Sequence, residues 1–119
     1  MSSGRMRRVD EAVRAVLSDV IASDLKDPRV GFVTVTGVKT SPDLRHARVF
    51  VSVLGDDGER EASLEGLRSA HGYLQRRVAS ELTLRHTPAL TFVYDGSVDR
   101  GMRITEILSQ TDRASETDG

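Results

Sequence analysis

The chain has 119 residues, with 38% hydrophobic and 29% charged residues, which suits one globular domain able to bury its own core. Seventeen Lys and Arg against 18 Asp and Glu give a net charge of −1, so a uniformly basic nucleic-acid binder is excluded. The absence of cysteine excludes disulfides and thiolate metal sites, and no apolar run approaches the ~20 residues that span a bilayer.

The first element is a helix. From Met6 to Leu25 the apolar residues Val9, Val13, Val16, Leu17, Val20 and Ile21 trace one helical stripe, while Arg7, Arg8, Arg14 and Ser18 fall away from it. It should stop before Lys26-Asp27-Pro28, because proline disfavours helical geometry in the residue before it. The opening stretch MSSGRMRRVDEAVRAV lacks the apolar core of a signal peptide, and a cytoplasmic protein is the expectation. Residues 30–40, VGFVTVTGVKT, read as a strand, Ser41-Pro42-Asp43 as a turn, and 44–54, LRHARVFVSVL, as a second strand. In the latter, Ala47, Val49, Val51 and Val53 share one face; Arg45, His46, Arg48, Phe50 and Ser52 do not. The two strands are predicted to form an antiparallel hairpin.

An acidic stretch, GDDGERE (55–61), reads as a loop. A second helix is predicted from about Glu61, with Leu64, Leu67 and Ala70 inward, and the stripe resumes past Gly72 with Leu74, Val78 and Leu82. A mid-helix glycine costs about 1 kcal/mol against alanine, so SAHGYLQRR (69–77) is read as a break at Gly72, giving two helices or one kinked helix. Thr87-Pro88 ends that region, and 89–96, ALTFVYDG, is a third strand. Residues 97–110 carry Val98, Met102, Ile107 and Leu108 and read as a weak closing helix; 111–119 is polar and is expected to be disordered. No repeat or linker divides the chain, so residues 1–110 are taken as one domain.

The order α–β–β–α–α–β, with a three-stranded sheet covered by helices and a short C-terminal helix, defines an α+β fold of the type II K-homology kind. In such domains a G-x-x-G loop between two helices clamps a single-stranded backbone. Here that junction reads Ala70-His71-Gly72. A literal G-x-x-G occurs at Gly55-Asp56-Asp57-Gly58, but it lies between strand and helix, and its two aspartates would repel phosphate.

Charge is unevenly placed. Residues 1–8 hold Arg5, Arg7 and Arg8 with no acid, and 68–86 hold Arg68, Arg76, Arg77 and Arg85 against Glu81 alone, with His71 and His86. A near-neutral total can therefore conceal one basic face, although for any single arginine an ordinary solvated surface is the more common reading.

The opening run RRVDEAVRAVLSDVIASDLKDPRVGFVTVTGVKTSPDLRHARVFVSVL, the Ala70-His71-Gly72 break, ELTLRHTPALTFVYD and RGMRI together resemble the ribosome-binding factor A family over about residues 5–109. The resemblance implies a K-homology-like fold in which an Ala-x-Gly kink replaces the G-x-x-G loop. It also implies a non-enzymatic assembly factor that binds the free or immature small ribosomal subunit and its RNA. Such a factor supports maturation of that RNA, notably in the cold, and is dislodged with the help of an assembly GTPase. The residues expected to contact RNA are Arg5, Arg7, Arg8, Arg45, Arg48, Ala70, His71, Gly72, Tyr73, Arg76, Arg77 and Arg85. Gly72 would permit the bend, Ala70 and Gly72 would let backbone approach backbone, and Arg76 and Arg77 would reach phosphate oxygens. His71 could donate to phosphate, and Tyr73 could stack a base or simply be half-buried. With aromatics at 4%, shape and phosphate recognition is expected rather than base reading.

An enzyme is not expected. His46, His71 and His86 lack metal-site spacing, and no nucleophile elbow or phosphate-binding Gly-Lys loop occurs. No cofactor and no membrane partner is implied, and a monomer is expected. The alternative reading is a protein–protein module of the same fold with no direct RNA contact, whose binding would ignore salt and ribonuclease.

Overall fold

Six apolar residues at helical spacing shape the first element. Helix α1 spans Gly4–Ser23 and buries Val9, Val13, Val16, Leu17, Val20 and Ile21, the stripe read from the sequence. In this computed structural model, which describes residues 4–96, α1 is followed by β1 (Phe32–Thr40), β2 (His46–Leu54), α2 (Asp57–Ser69), α3 (His71–Glu81) and β3 (Ala89–Tyr94). The predicted closing helix over 97–110 and the polar tail lie outside the described residues.

β1 and β2 form the predicted antiparallel hairpin, with Phe32 opposite Leu54 and Thr40 opposite Ala47, and a register shift between Val35 and Gly37. β3 lies parallel to β2, pairing His46 with Ala89 and Val51 with Tyr94, so the sheet order is β1-β2-β3. A parallel partner needs a long crossover, and α2 with α3 supplies it. Alternation then decides the core. Ala47, Val49, Val51, Leu90 and Phe92 join the α1 stripe, Leu64, Leu67, Leu74 and Val78 in one buried cluster. Helices thus cover one face of the sheet, and this is the α+β, K-homology-like arrangement expected.

Several boundaries move, each for a local reason. The acidic stretch 55–61 is mostly helix, not loop. α2 begins at Asp57 because the Asp56 carboxylate accepts a hydrogen bond from the Glu59 backbone N–H at 2.8 Å. Asp57 and Glu59 then sit in the first turn, where the helix dipole favours negative charge. The second strand starts at His46, since residues 41–45 are used by the turn. There the Asp43 carboxylate accepts from Ser41 Oγ at 2.6 Å and from the Arg45 N–H at 3.1 Å. These bonds, the Ser41 one foremost, hold the Asp43 carboxyl below its ordinary range. They also hold Leu44 at φ 61, a left-handed conformation that costs a non-glycine residue about 1–2 kcal/mol.

The helix break also moves. It falls at Ala70 (φ −85, ψ 6), which caps α2 at its C-terminus and α3 at its N-terminus. Gly72 lies inside the first turn of α3 and does not make the bend.

A different glycine is required by packing. Gly66 on α2 is buried, and a Cβ there would stand 2.6 Å from Val30 Cγ2 and 3.4 Å from Arg29 Cβ. G66A is expected to lose about 1–2 kcal/mol, overpacking outweighing the gain in helix propensity. Urea unfolding at unchanged m-value would check this.

The connector between α1 and β1, which supplies the Val30 and Arg29 that Gly66 packs against, holds an ion pair that should be visible in pH titration. Arg29 donates to Asp27 from its backbone N–H (2.9 Å), Nε (3.1 Å) and Nη2 (2.7 Å). The Arg29 side-chain bonds, then its backbone bond, lower the Asp27 carboxyl from 3.8 to about 2. A depressed folded-state value stabilises above the unfolded value, and the effect fades as pH falls through the folded one. The stability gap between the parent and D27N should therefore be constant above about pH 5 and close between about pH 4 and 2. Thermal melts of both proteins across that range provide the measurement.

Candidate nucleic-acid interface

Three segments meet where the hairpin turns: the first turns of α1, the β1–β2 turn and the connector from α3 to β3. A groove of about 310 Å³ between them has a floor of Val9, Leu44 and Leu84 and walls that include Arg5, Arg85 and His86. It continues along α1 into a space of about 500 Å³ that adds Arg8 and again uses Arg5 and Arg85. On the other side of the turn, Lys39, His46 and Arg48 line a third hollow of about 580 Å³ with Met6. The left-handed turn at Leu44 is what places its side chain in the first groove. Asp43 is the one carboxylate lining these three spaces, and it is turned into its own turn as described.

Arg5, Arg8, Arg45, Arg48 and Arg85 are all exposed, and the fold gathers Arg5, Arg8, Arg48 and Arg85 around one end. Arg7 is exposed on α1 but lines none of the three spaces. Arg48 lies over the Phe50 ring at 5.8 Å, which braces it on the helix-free face of the sheet. Arg45 sits in the turn, its carbonyl accepting from the Ala89 N–H at 2.8 Å.

The Ala70-His71-Gly72 kink is tied to this end through β3. His71 Nε2 donates to the Leu90 carbonyl at 2.9 Å. Gln75 donates from Nε2 to the Pro88 carbonyl at 2.7 Å and accepts from the Leu90 N–H at 3.0 Å. Side chains from α3 thus satisfy backbone groups at the start of β3, and the residue between, Ala89, is opposite His46. His71 therefore commits one ring nitrogen to the fold, and only the remainder of its exposed ring is available to a ligand.

Gly72 is exposed, and a Cβ there would meet nothing but Arg76 Nη1, at 3.5 Å. Neither its own backbone nor its neighbours require a glycine. Arg76 is exposed and has no ion-pair partner among the described residues. Arg77 differs: it bonds Asp24 through Nη1, Glu81 through Nη2 at 2.6 Å and the Tyr73 hydroxyl at 2.9 Å. The Asp24 and Glu81 bonds drive its pKa well above the usual arginine value. Arg77 joins α3 to the end of α1 and offers little charge to a ligand, and Tyr73 is half-buried with its hydroxyl engaged. Arg76 and Arg77, expected to reach phosphate together, are therefore not equivalent in the fold: Arg77 is committed to Asp24, Glu81 and Tyr73, and Arg76 is the more exposed of the two.

The sequence reading missed Gln75 and Lys39. Gln75 stands four residues after His71, the spacing that aligns two side chains on one helix face. Lys39 faces Arg48 across the hairpin, a pairing visible only once the register is known.

The family model for ribosome-binding factor A matches residues 5–108. The ribosome-binding factor A of Anaeromyxobacter sp. (strain Fw109-5) is 57% identical over 107 residues, 89% of this chain and 88% of that protein. The crystal structure of ribosome-binding factor A from Thermus thermophilus superposes with a TM-score of 0.67 at 26% identity, covering 75% of this chain and 94% of that one. A homology model of the Thermus thermophilus factor, fitted into a cryo-EM map of its complex with the 30S subunit, gives a TM-score of 0.62 at 26% identity, covering 73% and 91%.

Proposed function

The chain belongs to the ribosome-binding factor A family, and from that premise we propose that it binds the free or immature small ribosomal subunit through its RNA. It acts in the cytoplasm as a monomer and supports late maturation and processing of small-subunit rRNA, including in the cold, without catalysing a reaction itself. The observation that carries the reading is the cationic end. Arg5, Arg8, Arg48 and Arg85 are exposed there, the carboxylates beside them are bonded into the fold, Asp43 to its own turn and Asp10 to the backbone N–H and hydroxyl of Thr40, and the kink is tied alongside.

RNA phosphates supply the complementary charge, and Arg7, Arg45, Arg76 and the exposed part of His71 extend the contact. Phosphate contacts fix position and orientation without reading sequence, which suits a chain poor in aromatics. Binding energy spent on one RNA conformation shifts the population toward it. Release by an assembly GTPase completes the cycle.

Co-sedimentation with purified small and large subunits across a salt series tests this. Small-subunit binding whose log affinity falls linearly with log salt is expected. Binding to neither subunit, or binding indifferent to salt, would refute it.

A further inference from the structure

The end of the hairpin away from its turn has the opposite character. Phe32 and Leu54 are 78% and 71% exposed, the two large apolar side chains left in solvent among the described residues. They are directly opposed across β1 and β2, so they stand side by side on one face. Their neighbours Val33 and Val53 are also a pair, and Val53 is buried toward the helices. Phe32 and Leu54 therefore project from the helix-free face. Two residues earlier at each step, Ser52 and Phe50 share that face, with Phe50 opposite Gly37 and Val93.

The surroundings are acidic. Leu54 runs into Gly55, whose φ of 138 only glycine adopts freely. That turn brings the start of α2 back beside the strand end, and Glu59 lies so close to Gly55 that a Cβ there would collide with its carboxylate. Asp56, Asp57 and Glu59 are all exposed at this corner. The bases nearby in the chain are paired with acids: Arg60 reaches Asp57 at 3.4 Å and lies over the Tyr94 ring at 4.2 Å, and Arg29, three residues before Phe32, bonds Asp27 at 2.7 Å and Glu65 at 3.4 Å.

We propose that this corner docks a lysine- or arginine-rich segment of a small-subunit protein, which seats an apolar side chain between Phe32 and Leu54. RNA does not suit the position, because the carboxylates repel phosphate. Strands of nine residues, at about 3.3 Å per residue, put the corner roughly 25 Å from the cationic turn. With RNA held at the turn, the corner faces what lies further out, and a basic polypeptide matches both its charge and its apolar pair. The inference rests on the small-subunit reading above.

The test places a photo-reactive residue in the full chain, Leu54→p-benzoylphenylalanine, and irradiates it with purified small subunits in parallel with sedimentation. The expected result is a ribonuclease-resistant adduct on a lysine- or arginine-rich protein stretch, mapped by mass spectrometry. In addition, the F32S/L54S variant should bind subunits about tenfold more weakly with an unchanged salt slope. Both residues are exposed, so the variant should melt like the parent. If the chain sediments with subunits but the adduct is on rRNA, or no adduct forms, the corner is not a protein dock and the function proposed above still stands. If the chain does not sediment with subunits at all, that function falls and this inference falls with it. A concentration-dependent dimer abolished by F32S/L54S would assign the face to a second copy and overturn the inference.

Discussion

Reversing the charge of Arg5, Arg8 and Arg85 together is expected to weaken binding to small subunits by about 100-fold or more. A hydrogen bond to a charged group contributes about 1.5–3 kcal/mol, so losing two of three phosphate contacts already gives that factor. The salt slope should flatten by about 0.9 for each duplex phosphate contact removed, or about 0.7 for single strands. The fold should tolerate the change. All three residues are exposed, and α1 has no acid in its first turn. Glutamate at positions 5 and 8 therefore meets the positive end of the helix dipole. The Arg8 Nε contact to the Gly4 carbonyl, at 3.4 Å on the surface, is a small loss. A triple variant that melts normally and sediments like the parent, with the parent's salt slope, would show that RNA docks elsewhere.

What the sequence could and could not disclose follows from the range of the forces involved. The α1 stripe and the alternation in β2 were legible because burial repeats at a fixed period, and every residue assigned to those two faces is buried. The start of α2 was misread because GDDGERE looks like a solvated loop by composition. Its helical character comes from one cap, Asp56 to Glu59, and from the dipole that favours acids in a first turn. The break at Ala70 was misplaced because glycine is the residue that usually explains a bend, whereas an ordinary φ/ψ at Ala70 suffices here.

The candidate site could be listed from the sequence as a set of basic residues, but their arrangement was hidden. Arg5 and Arg85 are 80 positions apart in the chain, and only the packing of α1 against the α3–β3 connector brings them to one groove. Arg77 shows the converse. Next to Arg76 it looks equivalent, but on a helix the two point about 100° apart. That rotation decides that one faces Asp24 while the other faces solvent.

The second large effect concerns Gly72, and its sign differs between stability and binding. G72E should raise thermal stability by several degrees while lowering affinity for small subunits by about 100-fold. Gly72 is helical and does not have the positive φ that would demand glycine, and a Cβ would meet only Arg76 Nη1. Replacing it with alanine recovers up to about 1 kcal/mol of helix propensity, and glutamate, also a good helix former, recovers somewhat less. Glutamate adds a negative charge to a first turn that has no acid and an i,i+4 partner for Arg76, in the favourable order. All of that favours the folded state. At an RNA interface the same substitution places a carboxylate against phosphate, neutralises the free guanidinium of Arg76, and fills the space through which the backbone would be approached. G72A separates these contributions: it should gain up to about 1 kcal/mol in stability and lose affinity by the steric part alone. Thermal melts and subunit sedimentation on the three proteins decide it. A glycine kept for the fold would give variants that are less stable. A glycine kept for a partner gives variants that are more stable and bind worse. Variants that are more stable and bind equally well would remove the kink from the interface.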